Sequence, residues 1–433
     1  MRMGAIGLAG LAASLLAAAA SESPELPDYL YTAAPRYEPM AWMNGHDRFP
    51  AGSSLMLISG TSRRRIAPDF YASADGAVSF DASHILFAGK RTVSAHWQIW
   101  EAPRTGGTTR PITPGDADCV RPRYLPDGRV VFTRISPTGS AIEAAPLEGG
   151  KSVRLTFAPG WHLTDDVLRD GRILFETAGE IFTVYPDGTG VESLRCDHGR
   201  QRTGARQLST GDVIFTSSGR LARFTSARAE QMSDVTQPDG DIAGPIAEAG
   251  PGSWIVAKRL KPAGAFGLFL WSQAAGRLTD LEVSPEMNAV EPTVVAARTP
   301  PSEFPSALVP ARTTGNLLCL NAKASKTPIG GDVRAVRVFT KGAGDVSVPL
   351  GQAAVEADGS FFVEVPADKP LRMELLDAAG RIVRAERDWF WMRPSEQRVC
   401  VGCHTGPERA PENKTPAILL KTTTPEKLLG RQP

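Results

Sequence analysis

Short apolar runs separated by polar turns fill most of this chain, and from about Asp75 they recur. The stretches Val78 to Phe87, Arg123 to Phe132, Val167 to Phe175 and Gln207 to Phe215 share one plan. A short strand leads into a polar turn, three of which contain Gly, and an apolar strand follows. A weaker copy spans Glu248 to Val256. The closing residues Phe87, Phe132, Phe175, Phe215 and Val256 fall roughly 40–45 residues apart, the period of a propeller blade. The second half of each unit is also regular. Gln98–Pro103, Ala141–Pro146, Glu180–Tyr185 and Gly267–Trp271 are each followed by a Gly turn, at Gly106-Gly107, Gly149-Gly150, Gly188 and Gly276. Such turns need the positive φ that Gly permits, so each half reads as a hairpin and each unit as four strands.

Five units, with Thr293–Arg298 as the next projected strand, predict six blades; seven is the alternative count. N-terminal strands around Ser54–Ile58 and Arg64–Ile66 would complete the last blade and leave the ring without free edges. The units resemble those of TolB-type propellers. Asp75, Asp127, Asp170 and Asp187 recur with them, but single acids in separate units read as turn residues rather than as a calcium loop.

Pro300, Pro301, Pro305 and Pro310 mark a boundary. Beyond it, Gly315–Asn321, Arg334–Phe339, Val346–Leu350, Phe361–Val365 and Leu371–Leu376 alternate apolar and polar residues. This pattern predicts a small β-sandwich of about 80 residues. The expected class is therefore all-β, with a six-bladed propeller over residues 52–300 and a sandwich over 311–393. A C-terminal segment and tail occupy 394–433. Ahead of the propeller, residues 21–51 are rich in Pro and Tyr and read as an extended arm laid over the body.

Composition changes this picture in two ways. The 48 basic and 47 acidic residues nearly cancel, and no basic stretch is interleaved with aromatics. A nucleic-acid partner is therefore not expected. The first 20 residues read as a secretory signal, with Arg2, an apolar run from Ala5 and small residues at Ala17–Ala20. The run is roughly 16 residues against the ~20 of a spanning helix, so cleavage near Ala20–Ser21 and a periplasmic or otherwise exported protein without a membrane span are expected. Export permits disulfides. Of the five cysteines, Cys119, Cys196 and Cys319 are scattered and could form one bridge at most.

Cys400 and Cys403 are a separate pair within Cys400-Val-Gly-Cys403-His404. Cys-x-x-Cys-His is the attachment signature of c-type haem. Two thiols form thioethers with the vinyl groups, and the adjacent His404 is placed to ligate the iron. A redox disulfide would call for a βαβ setting, which is absent. A zinc site would need a fourth ligand or an open position, and no second Cys-x-x-Cys or paired His supplies one. One covalent haem c is therefore expected at Cys400, Cys403 and His404, with His404 as metal ligand. Trp389, Phe390, Trp391 and Met392 lie just upstream and suit either a flat cofactor or the closing of the sandwich core. The second axial ligand is open among Met392, Met373, Met287, His46, His84, His96, His162 and His198.

The order of propeller, sandwich and haem motif resembles the hydrazine synthase alpha-subunit family. The resemblance is densest over Val355–Arg372 and Trp391–His404, with the Arg409-Ala-Pro element after the motif. It implies haem attachment at Cys400 and Cys403, with His404 as the motif His. That family's subunit is a larger multihaem protein, whereas this sequence holds one motif. The resemblance also implies a Tyr soon after the motif His, and Thr405, Gly406, Pro407 and Glu408 stand there instead. Hydrazine synthesis is accordingly not carried over.

Three functions compete. The first is a monohaem redox protein that exchanges electrons with a partner protein. The second is a haem enzyme acting on a small nitrogen or oxygen species. The third is a propeller-based binding scaffold with a structural haem. A Met or His opposite His404 would favour the first, and an open position the second. No residue is assigned as catalytic, and the sequence carries no Ser/His/Asp arrangement or phosphate-cradling Gly loop that points elsewhere.

Overall fold

The computed structural model describes residues 26–39, 41, 46–194, 201–225, 232–402 and 412–430. Six four-stranded antiparallel sheets form the propeller. Blade 1 is built from both ends of the ring. Its inner strand is Asn288–Val294, followed outward by Tyr29–Ala34, Ser54–Ser59 and Ser62–Arg65. Blades 2 to 6 run in chain order. Their inner strands are Ala72–Val78, Cys119–Tyr124, Leu163–Val167, Thr203–Gln207 and Ile242–Gly250.

The repeat seen in the sequence has a simple packing cause. Phe87, Phe132, Phe175, Phe215 and Val256 all sit on the second strand of their blades and are at most 1% exposed. Each fills the space between adjacent blades, and burial of such a side chain is worth about 1.5–3 kcal/mol. The Asp-Gly pairs make the turns. The Oδ1 of Asp127 accepts from the Arg129 N–H at 3.2 Å, that of Asp170 from Arg172 at 3.1 Å, and that of Asp187 from Thr189 at 3.0 Å.

Two expectations are corrected. The segment read as an arm contributes a strand, because Tyr29–Ala34 pairs with both Ser54–Ser59 and Asn288–Val294. Its aromatics, Tyr29 and Tyr31, are core residues rather than a surface covering. Asp75 is not a turn residue. It lies in the inner strand of blade 2 at a break in register between Ala74 and Ala77.

That break recurs and shapes the central channel. Asp75, Arg121 and Glu291 take φ of 60°, 52° and 55° on the inner strands of blades 2, 3 and 1. Residues other than Gly adopt this region at a cost of about 1–3 kcal/mol, so surrounding contacts must hold them. The contacts are ionic. Asp75 pairs with Arg48 and accepts the Arg121 N–H at 3.0 Å. Arg121 Nη1 donates to Asp165 at 3.1 Å and to Glu176 at 2.7 Å, and Arg48 Nη1 donates to Glu291 at 2.6 Å. The bulges turn these side chains into the axis, and the network fills it. On blades 5 and 6 the channel is narrowed by backbone instead. A Cβ on Gly204 would stand 2.6 Å from the carbonyl carbon of Gly244, so only Gly fits there.

The sandwich packs two four-stranded sheets. One is ordered Gln397–Cys400, Thr314–Cys319, Phe361–Pro366, Glu426–Lys427. The other is ordered Ser347–Ala354, Ala335–Lys341, Leu371–Leu376, Ile382–Ala385. Leu317, Val336, Val338, Phe361, Val363, Val365 and Leu371 form its core. Both edge strands of the first sheet come from the segment read as a separate tail. Gln397–Cys400 pairs in parallel with Thr314–Cys319, and Glu426–Lys427 pairs in parallel with Phe361–Pro366. The first cysteine of the Cys-x-x-Cys-His motif is therefore part of the sandwich.

Removal of Arg121 tests the channel network. Arg121→Met leaves Asp165 and Glu176 buried without their guanidinium, and the loss expected is about 3–5 kcal/mol in urea unfolding. A loss below about 1 kcal/mol, the range of a surface pair, would contradict this role.

Candidate functional site

Cys400 reaches its position through the contact between sandwich and propeller. Trp391 leaves the sandwich and is almost wholly buried against blades 3 and 4. Its indole N–H donates to the Gly188 carbonyl at 2.9 Å. Its ring stacks on His162, with centroids 6.0 Å apart and planes at 27°. Arg393 Nε donates to the Asp187 carbonyl at 3.0 Å, and Arg393 Nη1 to Asp368 at 2.7 Å. Glu396 ties the two domains together. One carboxylate oxygen accepts the Gly190 N–H at 3.0 Å and the Arg398 guanidinium at 2.8 Å, and the other accepts the Arg393 N–H at 2.7 Å. Tyr185 of blade 4 also stacks on Phe304 at 4.0 Å. These contacts fix the strand that begins at Gln397 and ends at Cys400.

Cys400 closes that strand at the outer edge of its sheet. Its carbonyl accepts the Leu320 N–H at 2.8 Å, and its ladder partner is Cys319. Cys400 and Phe390 pack against the rim of the sandwich core, while Val399, between Arg398 and Cys400 on the strand, is 57% exposed. Burial pushes the Cys400 thiol above its ordinary range, with Arg398 acting in the opposite sense. A half-buried thiol at an apolar rim fits the edge of a flat, apolar macrocycle. Cys403, His404 and the Arg409-Ala-Pro element lie outside the described residues.

The possible second ligands are widely scattered. Met392 is fully buried in the sandwich core, and Met373 packs against the same core. His46 and His96 line a cavity at the propeller mouth. His84 is on blade 2 with its ring 2.7 Å from Ser83 Oγ. Met287 lies in the loop between blade 6 and the closing strand. His198 and Cys196 lie outside the described residues. His162 is the histidine in contact with the segment leading to the motif, through Trp391. Cys119 is buried in blade 3 and Cys319 in the sandwich, so these two stand in different domains.

Sequence reasoning missed three features here. Cys319 stands beside Cys400, which only the pairing of strands about 80 residues apart reveals. Glu396 and Arg393 act as a clamp, although both look like ordinary polar residues of a loop. Trp391 belongs to the propeller contact rather than to the sandwich core. Its signal was the run of aromatics at Trp389–Trp391, which did not say which surface it met.

Comparison with known proteins places this geometry. Residues 317–405 match the family model of the hydrazine synthase alpha subunit middle domain. Hydrazine synthase subunit alpha of Kuenenia stuttgartiensis is 38% identical over 60 residues, which are 14% of this chain and 7% of that protein. The solved Kuenenia stuttgartiensis hydrazine synthase matches over 92% of this chain and 72% of that chain, with a TM-score of 0.79 and 18% identity. The fold is thus shared over propeller and sandwich together. TolB from Acinetobacter baumannii matches over 62% of this chain and 66% of that chain, with a TM-score of 0.47 and 16% identity.

His162 makes the domain contact sensitive to acid. Burial, reinforced by Arg154, lowers its pKa from 6.5 to about 3. Its Nδ1 is buried and makes no hydrogen bond among the described residues. The unfolded chain therefore binds one more proton than the folded chain between those values. Stability contributed by the neutral ring is full above pH ~6.5 and falls by about 1.4 kcal/mol per pH unit on the way down. Urea unfolding at pH 7, 6, 5 and 4.5 should show His162→Phe losing less stability than the parent across this range. Parallel pH profiles would contradict the assignment.

Proposed function

We propose, for a chain that is hydrazine synthase alpha-subunit-like in its sandwich and in its fold, that it is an exported protein carrying one haem c and exchanging electrons with a partner protein. Cys400 and Cys403 would hold the haem by thioethers, and His404 would be its metal ligand. Bound there, haem would supply reversible one-electron oxidation and reduction of its iron. Export rests on the signal-like residues 1–20 and on the cellular compartment in which such attachment takes place.

One observation carries the reading. Cys400 stands at the end of an edge strand, at the rim of the sandwich, with the neighbouring Val399 exposed. A group tethered at the rim has one edge against protein and another toward solvent. A redox partner needs such access. The chain's own residues prepare this place. The Glu396 clamp fixes the strand against the turn of blade 4 and neutralises Arg398 within 2.8 Å. Burial raises the pKa of the Cys400 thiol and so favours its neutral form.

A haem enzyme is the second reading, favoured by the fold shared with hydrazine synthase over 92% of the chain. Spectra separate the two. The redox reading predicts a reduced protein with sharp low-spin bands that carbon monoxide leaves unchanged. Bands that shift on addition of carbon monoxide reveal an open iron position and would overturn it in favour of catalysis.

A further inference from the structure

The propeller holds a cavity lined by no residue of the sandwich. It has a volume of about 440 Å³ and opens between His46–Phe49 and loops of blades 2 and 3. This is within the ~300–1,000 Å³ of small-molecule sites. Two indoles line it, Trp97 from blade 2 and Trp161 from the connection between blades 3 and 4. Asp47, Asp116 and Asp118 line it as well. The buried Arg48–Asp75 pair is shared with the channel network and separates the cavity from the channel.

The charges favour one class of ligand. Asp75 is neutralised by Arg48. Asp118 accepts the Trp97 backbone N–H at 2.8 Å and lies 3.1 Å from His96 Nδ1, so it shapes the wall. Asp47 lies 3.6 Å from Lys90. Asp116 is exposed among the lining residues, makes no hydrogen bond among the described residues, and lies within electrostatic reach of Arg134. An anion would meet the Asp116 carboxylate, and a neutral apolar ligand would leave that carboxylate without a counter-charge beyond Arg134. A hard metal ion needs several converging oxygens, and no group of three or more such donors converges among the described residues. An organic ammonium suits both features, because its diffuse charge is attracted to indole faces and to a carboxylate at longer range.

We infer that this cavity binds a small organic cation, an alkyl- or quaternary-ammonium group held by Trp97 and Trp161 with Asp116 as its counter-charge. The inference is independent of the haem.

Choline and its uncharged isostere 3,3-dimethyl-1-butanol test it on the full-length protein. Binding is followed by calorimetry and by broadening of the N-methyl proton resonance. The expected result is saturable choline binding, at least about tenfold weaker or absent for the isostere. Asp116→Asn should weaken choline about tenfold, and Trp161→Ala should weaken it further. Thermal melts that match the parent show that both variants fold, and Asp116→Asn decides the matter if Trp161→Ala does not. No saturable binding, equal binding of the isostere, or binding unchanged in Asp116→Asn would each overturn the proposal.

Discussion

Closure of the ring is the constraint on which the rest depends. A propeller with an unpaired first or last blade exposes strand edges and leaves the axial faces unsupported. Here the inner strand Asn288–Val294 arrives after the whole ring has been built and pairs with Tyr29–Ala34 from its beginning. The joint is reinforced in the axis, where Arg48 from the N-terminal segment bridges Glu291 of the closing strand and Asp75 of blade 2. Burying so many charges is favourable only when each meets a partner. The left-handed residues Asp75, Arg121 and Glu291 aim them so that they do.

The sandwich inherits its position from that ring. Blade 4 presents the turn Asp187–Gly190, and the sandwich reads it with backbone-directed hydrogen bonds from Trp391 and Arg393 and to Glu396. Gly188 has φ +86°, and a side chain there would collide with Leu155 and Arg393. A single turn thus fixes the segment 391–396, and the strand that follows delivers Cys400 to the rim. The His162–Trp391 stack adds an apolar, acid-sensitive element to the same contact.

Much of the fold was legible in the sequence, because it is written in local pattern. The spacing of Phe87, Phe132, Phe175 and Phe215 reports one buried position per blade, and the Asp-Gly turns fix the hairpins. The sandwich strands showed the same period-2 alternation. What escaped was non-local. Tyr29–Ala34 looks like an arm because its partners are about 25 and 260 residues away. Gln397–Cys400 looks like a tail because its neighbour is parallel and distant. Asp75 looked like its turn counterparts because a bulge in mid-strand leaves no composition signal. At the site itself, Cys400, Cys403 and His404 stood out as a motif, while the clamp of Arg393 and Glu396 could be seen only once the strand pairing was known.

The central claim is a covalent haem on this sandwich rim, and the intact mass of the denatured protein tests it most directly. The full sequence would be expressed in a host that matures c-type cytochromes. The account predicts a mass equal to the mature chain plus one haem, and a mass without haem for the Cys400→Ser, Cys403→Ser double variant. A parent mass without haem, or haem retained covalently by the double variant, would contradict it.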